Sequence, residues 1–187
     1  MAPAGTGRAA VLAPGGGYST DGPLLMYAGL AVERRGGYAH RIAWRPGFTE
    51  SVAENHAWVT VQVAAAIDET VAAAGATAPV VIAKSLGSLA APLVADRGLA
   101  AVWFTPLLTD EPTVAALRRR TAPCLLVGGT ADRFWDGQAA RSITPHVVEV
   151  AAADHGMFVP GGLSASAAVL GQVMTAVERF LDHVVWP

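Results

Sequence analysis

Short runs of consecutive apolar residues alternate along the chain with longer segments in which apolar side chains recur every three or four positions. A short unbroken apolar run is typical of a strand buried on both faces, and the longer spacing is typical of a helix with one buried face. The predicted strands cover residues 8–13, 40–44, 80–83, 100–104, 124–127 and 147–150. The predicted helices cover residues 23–35, with Asp21 as cap, and then 51–74, 86–96, 112–120, 137–143 and 164–184.

Strands that alternate with helices predict an α/β protein, a three-layer α/β/α sandwich with a mostly parallel sheet of six strands. No linker, repeat or low-complexity segment divides the sequence, so we expect a single domain over residues 1–187. Ligands of such sheets bind beyond the carboxyl ends of the strands. The residues that follow strands one, three, five and six are therefore the first candidates for chemistry.

The composition narrows the class of protein further. Apolar residues make up 52% of the chain and charged residues 15%, which fits a folded domain and excludes a disordered segment. A net charge of −2, with acids and bases mixed, predicts no binding of nucleic acid. No apolar stretch is long enough to span a membrane, and the first residues show no secretory signal. We therefore expect no membrane partner and a cytoplasmic location.

Metal and cofactor chemistry has no support in the sequence. The five histidines show no close metal-ligand spacing. The single cysteine, Cys124, lies in an apolar run that is typical of a buried strand, which indicates a structural residue. We predict no metal site, no cofactor and no internal disulfide.

A serine stands between the third predicted strand and the helix that follows it. At such a position the chain makes a tight turn that pushes the Ser85 hydroxyl out over the edge of the sheet. The small residues Ala83 and Gly87 allow strand and helix to approach closely. The amide of Leu86, at the start of the helix, points to where an oxyanion would form. Ser85 is a candidate nucleophile, and the alternative is a serine that only caps the helix.

An acid and a histidine follow the fifth and sixth strands. Asp132 lies a few residues after strand five, where a carboxylate can accept the Nδ1 proton of a histidine and stabilise the imidazolium. Asp136 is the alternative acid, although it is also well placed to cap the helix that starts at Gly137. His155 follows strand six on a loop with Gly156 behind it, which suits a general base. The alternative for His155 is a surface histidine without a role.

Three consecutive glycines follow strand one. Glycine amides can turn toward a bound carbonyl oxygen without a Cβ in the way. We expect this loop to supply the second oxyanion donor, with Gly16 as the first choice and Gly17 as the second. The alternative is a phosphate-binding loop, but the segment lacks both the Lys-Ser/Thr ending of a P-loop and the glycine spacing of a dinucleotide-binding fold.

Four segments together resemble the α/β-hydrolase superfamily, in particular its compact members without a lid. They are Pro14-Gly15-Gly16-Gly17, Ala83-Lys84-Ser85-Leu86-Gly87, Gly129-Thr130-Ala131-Asp132 and Asp154-His155-Gly156. The order Ser, Asp, His along the chain is that of the family, whereas Ala83 departs from the family's Gly-x-Ser-x-Gly pattern. The resemblance implies a sheet of order 2-1-3-4-5-6, whose first strand corresponds to the family's third.

The resemblance also implies an activity. It indicates a serine hydrolase that cleaves a small carboxylic ester or thioester with Ser85, His155 and Asp132 as catalytic triad. Only one helix fits between strand four and strand five, so we expect an open site for a small-molecule acyl substrate. The candidates for an apolar rim around that substrate are Tyr18, Trp135, Met157 and Phe158. Their alternative role is only to pack the loops.

Several points stay open at the level of sequence. An alternative function is that of a biosynthetic enzyme, a cyclase, lyase or isomerase, that uses the same pocket without net hydrolysis. Lys84, beside the candidate nucleophile, is expected to extend into solvent with its stem buried, and the alternative is that it raises the local positive potential for an anionic substrate. The sequence predicts neither the identity of the substrate nor the oligomeric state.

Overall fold

The computed structural model of the chain describes residues 7–47, 49 and 51–187. Residues 1–6, on which the prediction of no secretory signal partly rests, lie outside the described residues. The strands are β1 Ala9–Ala13, β2 Tyr38–Arg41, β3 Val80–Lys84, β4 Ala101–Phe104, β5 Cys124–Gly129 and β6 Val147–Val150. The helices are α1 Pro23–Glu33, α2 Val52–Ala74, α3 Ala91–Asp96, α4 Glu111–Arg119, α5 Gly137–Ile143 and α6 Leu163–Phe180.

The sheet confirms the predicted topology. Its strands lie in the order β2-β1-β3-β4-β5-β6 and every neighbouring pair is parallel. Strands β1, β3, β4 and β5 are buried along their whole length, which explains their unbroken apolar runs. Helices α2 to α5 pack on one face of the sheet, and α1 and α6 pack on the other. The carboxyl ends of β1, β3, β4, β5 and β6 consequently meet at one edge.

Strand β2 lies earlier in the chain than the predicted span 40–44. It pairs with β1 from Ala9 opposite Tyr38 to Leu12 opposite Arg41, directly after the turn at residues 36–37. The last hydrogen bond of this ladder runs from the amide of Ile42 to the carbonyl of Leu12, because β1 itself ends one residue later. The length of the partner strand therefore sets the end of β2.

The helix after β3 is divided into two parts, whereas the sequence predicts one helix over residues 86–96. Residues Ser85–Ala90 form a 3₁₀ helix, and the α-helix starts only at Ala91. Pro92 has no N–H to donate to the carbonyl of Ser88, so an α-helical bond cannot form there. The amide of Ala91 donates to that carbonyl instead, which is the tighter 3₁₀ pattern.

The prediction that Asp21 caps α1 is wrong. The residue before the helix is Gly22, which makes no side-chain cap bond, and Pro23 takes the first helical position. The amide of Leu24 donates to the hydroxyl of Tyr18 at 2.8 Å. Tyr18 thus satisfies a free amide of the first turn and ties the glycine loop after β1 to α1.

A histidine–aspartate pair connects α2, the 3₁₀ helix and the start of α4. His56 Nε2 lies 2.9 Å from Asp110 Oδ2, and His56 Nδ1 lies 3.2 Å from the carbonyl oxygen of Leu89. The same Asp110 oxygen accepts the amide of Thr113 at 3.0 Å and so caps α4. Since Leu89 belongs to the helix that follows Ser85, the pair helps to fix the position of that helix.

We expect Asp110→Ala to lower the free energy of unfolding by about 1–3 kcal/mol, because it removes a helix cap and leaves a half-buried imidazole without its partner. Asp110→Asn is the matched control, since an asparagine side chain still caps the helix. Urea unfolding of both variants measures the difference. An Asp110→Ala variant as stable as the wild type would show that the pair does not fix α4.

No described helix has both the length and the apolar character that crossing a membrane requires.

Candidate active site

Ser85 occupies a strained turn at the carboxyl end of β3. Its φ is +49°, a value that non-glycine residues rarely adopt. Its hydroxyl lies 2.7 Å from His155 Nε2. The 3₁₀ helix that begins here makes no side-chain cap bond at its start, so the alternative of a capping serine does not describe Ser85. Strain at an observed outlier is typical of functional sites.

Gly87 allows this turn to lie against the end of β1. A Cβ on Gly87 would lie 2.8 Å from the carbonyl oxygen of Ala13 and 3.1 Å from its Cβ. The small size of Gly87 therefore allows the turn after β3 to approach the end of β1 closely. Ser88, which the sequence analysis missed, donates its hydroxyl to the carbonyl of Ser85 at 2.6 Å and accepts the amide of Leu107 at 3.0 Å. Both contacts hold the turn in place.

We expect Gly87→Ala to lower turnover at least roughly tenfold, because backbone atoms of β1 would have to move and Ser85 would move with them. The matched control is Gly171→Ala in α6, where an added Cβ meets nothing within 4 Å. That control is expected to raise the free energy of unfolding by about 0.5–1 kcal/mol through helix propensity, with turnover unchanged. Thermal unfolding and steady-state rates measure both. Wild-type turnover in Gly87→Ala would contradict the close approach.

His155 lies between the serine and a buried carboxylate. Its Nδ1 is 2.8 Å from Asp132 Oδ2, and the side chain of Asp132 is fully buried while that of His155 is one-third exposed. The other oxygen of Asp132 accepts the amide of Phe134 at 2.9 Å. Because a carboxylate only accepts, Nδ1 of the neutral ring donates to Asp132, and Nε2 is left to accept the proton of the serine hydroxyl. The structure thus brings Ser85, His155 and Asp132 together in one hydrogen-bonded chain.

The two other acids near this edge make local turns instead. Asp136 Oδ1 accepts the amides of Gln138 and Ala139 and caps α5. Asp154 Oδ1 accepts the amides of Gly156 and Phe158 within its own loop. Neither carboxylate contacts the ring of His155 among the described residues, so the geometry favours Asp132 over Asp136 as the partner of the histidine.

The glycine loop after β1 approaches the serine through its first glycine. A Cβ on Gly15 would lie 3.6 Å from Ser85 Cβ, and the amide of Gly15 is already used in a bond to the carbonyl of Tyr18. Gly16 and Gly17 are exposed. Within the part of the chain that the structure describes, their amides have no protein acceptor. Both amides are therefore available to a ligand.

Three of the four expected rim residues lie together. Tyr18, Met157 and Phe158 line a pocket of about 220 Å³ with Leu24, Leu163 and Leu170. Trp135 is not part of this pocket. Its ring packs over Gly128 of β5, and its Nε1 donates to Glu149 at 2.8 Å. The indole fills the space that the missing side chain of Gly128 leaves, and the expected role of Trp135 at the rim stays a prediction.

Lys84 does not extend into solvent, so that prediction is also wrong. Only 3% of the residue is exposed. Its Nζ donates to Thr105 Oγ1 at 3.1 Å and to the carbonyl of His155 at 3.0 Å, and it lies 4.8 Å from the centre of the Tyr18 ring. Burial lowers the pKa of Lys84 to about 8, an effect that the nearby carboxylates of Asp132 and Asp154 oppose.

Cys124 is buried at the start of β5, and burial raises the pKa of its thiol to about 11. The thiol is therefore protonated at neutral pH and unsuited to nucleophilic attack. Among the described residues, no group of three or more His, Cys, Asp or Glu side chains is arranged to hold a metal ion.

Comparison with known proteins gives structural likeness only. No protein-family model and no curated protein matches the sequence. Est1E from Butyrivibrio proteoclasticus with bound ferulic acid matches with a TM-score of 0.72 at 13% identity, covering 100% of this chain and 94% of that chain. An α/β serine hydrolase without lid from Xanthomonas campestris matches with a TM-score of 0.69 at 15% identity, and the match covers 94% of this chain and 81% of that chain. An esterase from Pyrococcus furiosus matches with a TM-score of 0.68 at 12% identity, and the match covers 96% of this chain and 84% of that chain.

At identities this low, the structural likeness establishes that the fold is shared and nothing more. The described chain between β4 and β5 holds one helix, α4, in agreement with the expectation that a lid is missing. The chain has the α/β-hydrolase fold, in its compact form without a lid.

Proposed function

We propose that this protein is a serine hydrolase that cleaves small carboxylic esters or thioesters through an acyl-enzyme on Ser85. The observation that carries the proposal is the hydrogen-bonded chain from Ser85 Oγ to His155 Nε2 and from His155 Nδ1 to Asp132 Oδ2. A hydroxyl that donates to a base, with the base oriented by a third group, is the arrangement that activates a serine for acyl transfer. All three groups lie at one edge of one sheet, so a single domain suffices for the chemistry.

In the first half-reaction Ser85 Oγ attacks the substrate carbonyl while His155 Nε2 takes the hydroxyl proton. The Asp132 carboxylate stabilises the imidazolium that forms. Collapse of the tetrahedral intermediate breaks the bond to the alcohol or thiol, and His155 returns the proton to that leaving group. A water molecule then gives a proton to His155 and attacks the acyl carbonyl. Collapse of the second tetrahedral intermediate breaks the bond to Ser85 Oγ, which takes the proton back from His155, and the acid is released.

The negative oxygen of the tetrahedral intermediate needs donors that are already in place. We assign this role to the amide of Leu86, which follows the nucleophile at the start of the 3₁₀ helix, and to the amide of Gly16 or Gly17. The absence of a protein acceptor for these two glycine amides among the described residues supports the assignment. Gly15 is excluded because its amide is bonded to Tyr18.

The shape of the site supports a small acyl substrate. We assign the acyl group to the pocket of Tyr18, Met157 and Phe158, which is mainly apolar, holds about 220 Å³ and is also lined by Gly156, the residue after His155. That volume suits a short acyl chain or one aromatic ring. The structurally similar Est1E has been found with ferulic acid bound, and an aromatic acyl group is therefore one of the substrates we propose to test. Without a lid the site stays open to water, which favours soluble substrates over long-chain lipids.

The test is turnover of p-nitrophenyl esters with acyl chains of two to eight carbons, beside the matching acyl thioesters. We expect hydrolysis with highest kcat/KM for the shorter chains, and a stoichiometric burst of p-nitrophenol for esters whose deacylation is slower than their acylation. Failure to hydrolyse any ester or thioester would contradict the proposal. It would favour a cyclase, lyase or isomerase that uses the same pocket.

A further inference from the structure

Lys84 is the only lysine of this chain, which otherwise uses twelve arginines as its basic side chains. The described arginines that form ion pairs lie at the surface or half-buried, whereas Lys84 is buried at the carboxyl end of β3 beside the nucleophile. An ammonium group is compact, and a guanidinium is planar and larger. The position therefore selects a point charge with donors that can turn toward acceptors on different strands.

The acceptors of this ammonium group come from two other strand ends. Thr105 follows β4 with a φ of +43°, a strained value for a β-branched residue, and presents its Oγ1 to Lys84 Nζ. The second acceptor is the backbone carbonyl of His155 in the loop after β6. The ammonium thus joins the ends of β3 and β4 to the loop that carries the proposed general base.

The loop is attached on both sides of the histidine, by bonds from Ala152 to Thr130 and from Val159 to Ser166 and by the buried Met157, whereas few bonds from outside reach residues 154–158 themselves. Within the described part of the chain, the backbone–backbone hydrogen bonds of residues 154–158 run within this segment, from the amide of Asp154 to the carbonyl of Phe158 and from the amide of Met157 to the carbonyl of Asp154. Among the described residues, the bonds from outside reach the His155 side chain through Asp132 and Ser85, and its backbone through Lys84. An imidazole held only at its ring could shift with its backbone.

We propose that Lys84 is a positioning residue: its ammonium group donates a hydrogen bond to the carbonyl of His155 and thereby holds the imidazole over the Ser85 hydroxyl. This inference rests on the proposed hydrolase function and adds a residue to it. A charge-assisted hydrogen bond is stronger than a neutral one, so the strength of the bond to the His155 carbonyl depends on the charge of Lys84. The groups that face this charge are the carboxylates of Asp132 and Asp154, the ring of Tyr18 and the hydroxyl of Thr105.

The protonation of Lys84 makes this hydrogen bond depend on pH. Burial lowers the pKa of Lys84 from 10.5 to about 8, so the ammonium is present at neutral pH and is lost as the pH rises through about 8. We therefore expect kcat of the wild type to fall on the alkaline side, as the charge-assisted bond to the His155 carbonyl weakens.

The variant Lys84→Met keeps the length and apolar stem of the side chain and removes the ammonium group. We expect kcat for a p-nitrophenyl ester to fall about 10- to 100-fold with KM within a factor of about two, because the imidazole is misplaced while the substrate pocket is unchanged. We also expect no alkaline fall in kcat near pH 8. A merely structural lysine would lower Tm and leave both kcat of the folded protein and its pH profile unchanged.

A measurement on the unmodified protein keeps the inference testable if the variant does not fold. Labelling with lysine that carries ¹³C at Cε gives one NMR signal, because the chain has one lysine. Its titration midpoint is expected near pH 8 and to coincide with the alkaline fall of kcat. A midpoint near that of an exposed lysine, or wild-type kcat in a folded Lys84→Met variant, would overturn the inference.

These results separate the two proposals. If a fluorophosphonate labels Ser85 at the same rate in wild type and Lys84→Met, the positioning role is wrong and the hydrolase function stands. If Ser85 is not labelled in the wild type, the proposed function itself is wrong.

Discussion

Replacing Ser85 with alanine is expected to lower kcat about 10⁴- to 10⁶-fold, as removal of the nucleophile does in other triads. The Ser85 hydroxyl lies 2.7 Å from His155 Nε2, and in the proposed mechanism its oxygen forms the acyl-enzyme, for which alanine offers no replacement. The fold should remain, because the Ser85 side chain makes no cap bond and alanine is the smaller residue. Turnover of a p-nitrophenyl ester, with thermal unfolding as a check on folding, measures both effects.

Ser142→Ala provides the matched control for this prediction. Ser142 is exposed on α5 and donates its hydroxyl only to the carbonyl of Ala139 in its own helix. We expect its turnover to equal that of the wild type. Retention of wild-type turnover by Ser85→Ala would remove this serine from the mechanism.

Replacing Asp132 with asparagine is expected to lower kcat about 10⁴-fold, the size of effect found when the acid of a triad becomes an amide. Asparagine has almost the same shape, but its NH₂ group can donate to His155 Nδ1. The neutral ring would then carry its proton on Nε2, where it can no longer accept the proton of Ser85. The imidazolium of the transition state would also lose its buried counter-charge, since the Asp132 side chain has no exposure to solvent.

Asp136→Asn is the matched control for Asp132→Asn, because it makes the same change at the other candidate acid. Asp136 caps α5 through Oδ1, and asparagine caps helices equally well. We expect near wild-type turnover and stability for Asp136→Asn. If Asp136→Asn were the inactive variant and Asp132→Asn the active one, the assignment of the acid would be reversed.

The sheet was predictable because four of its strands are buried on both faces and therefore read as apolar runs. Boundaries were less predictable where they depend on contacts between distant segments. Strand β2 ends where its partner β1 ends, and no pattern within residues 38–44 indicates that position. The first turn of α1 is satisfied by Tyr18 from the preceding loop, while Asp21, the residue with capping chemistry, lies elsewhere.

The candidate site was accessible to sequence reasoning for a geometrical reason. The carboxyl ends of parallel strands meet at one edge, so polar residues that follow β3, β5 and β6 are expected close together. Ser85, Asp132 and His155 meet there in the structure. Their catalytic roles are predictions, which the substitutions above test.

Lys84 and Ser88 show where sequence reasoning fails. The environment of the Lys84 ammonium is set by Thr105 and His155, which lie far away in the chain, so its burial has no local signature. One global signal was present, because a single lysine in a chain with twelve arginines indicates a position with special demands. The bonds of Ser88 likewise depend on the loop after β4.

The most direct test of the account is to find where a fluorophosphonate probe reacts. We predict that mass spectrometry of the labelled protein finds one adduct per chain, on the peptide that contains Ser85, and that Asp132→Asn reacts much more slowly. Only a serine activated by a neighbouring base reacts in this way. No adduct on Ser85, or an adduct on another serine at the same rate, would contradict the claim that Ser85, His155 and Asp132 act as one catalytic unit.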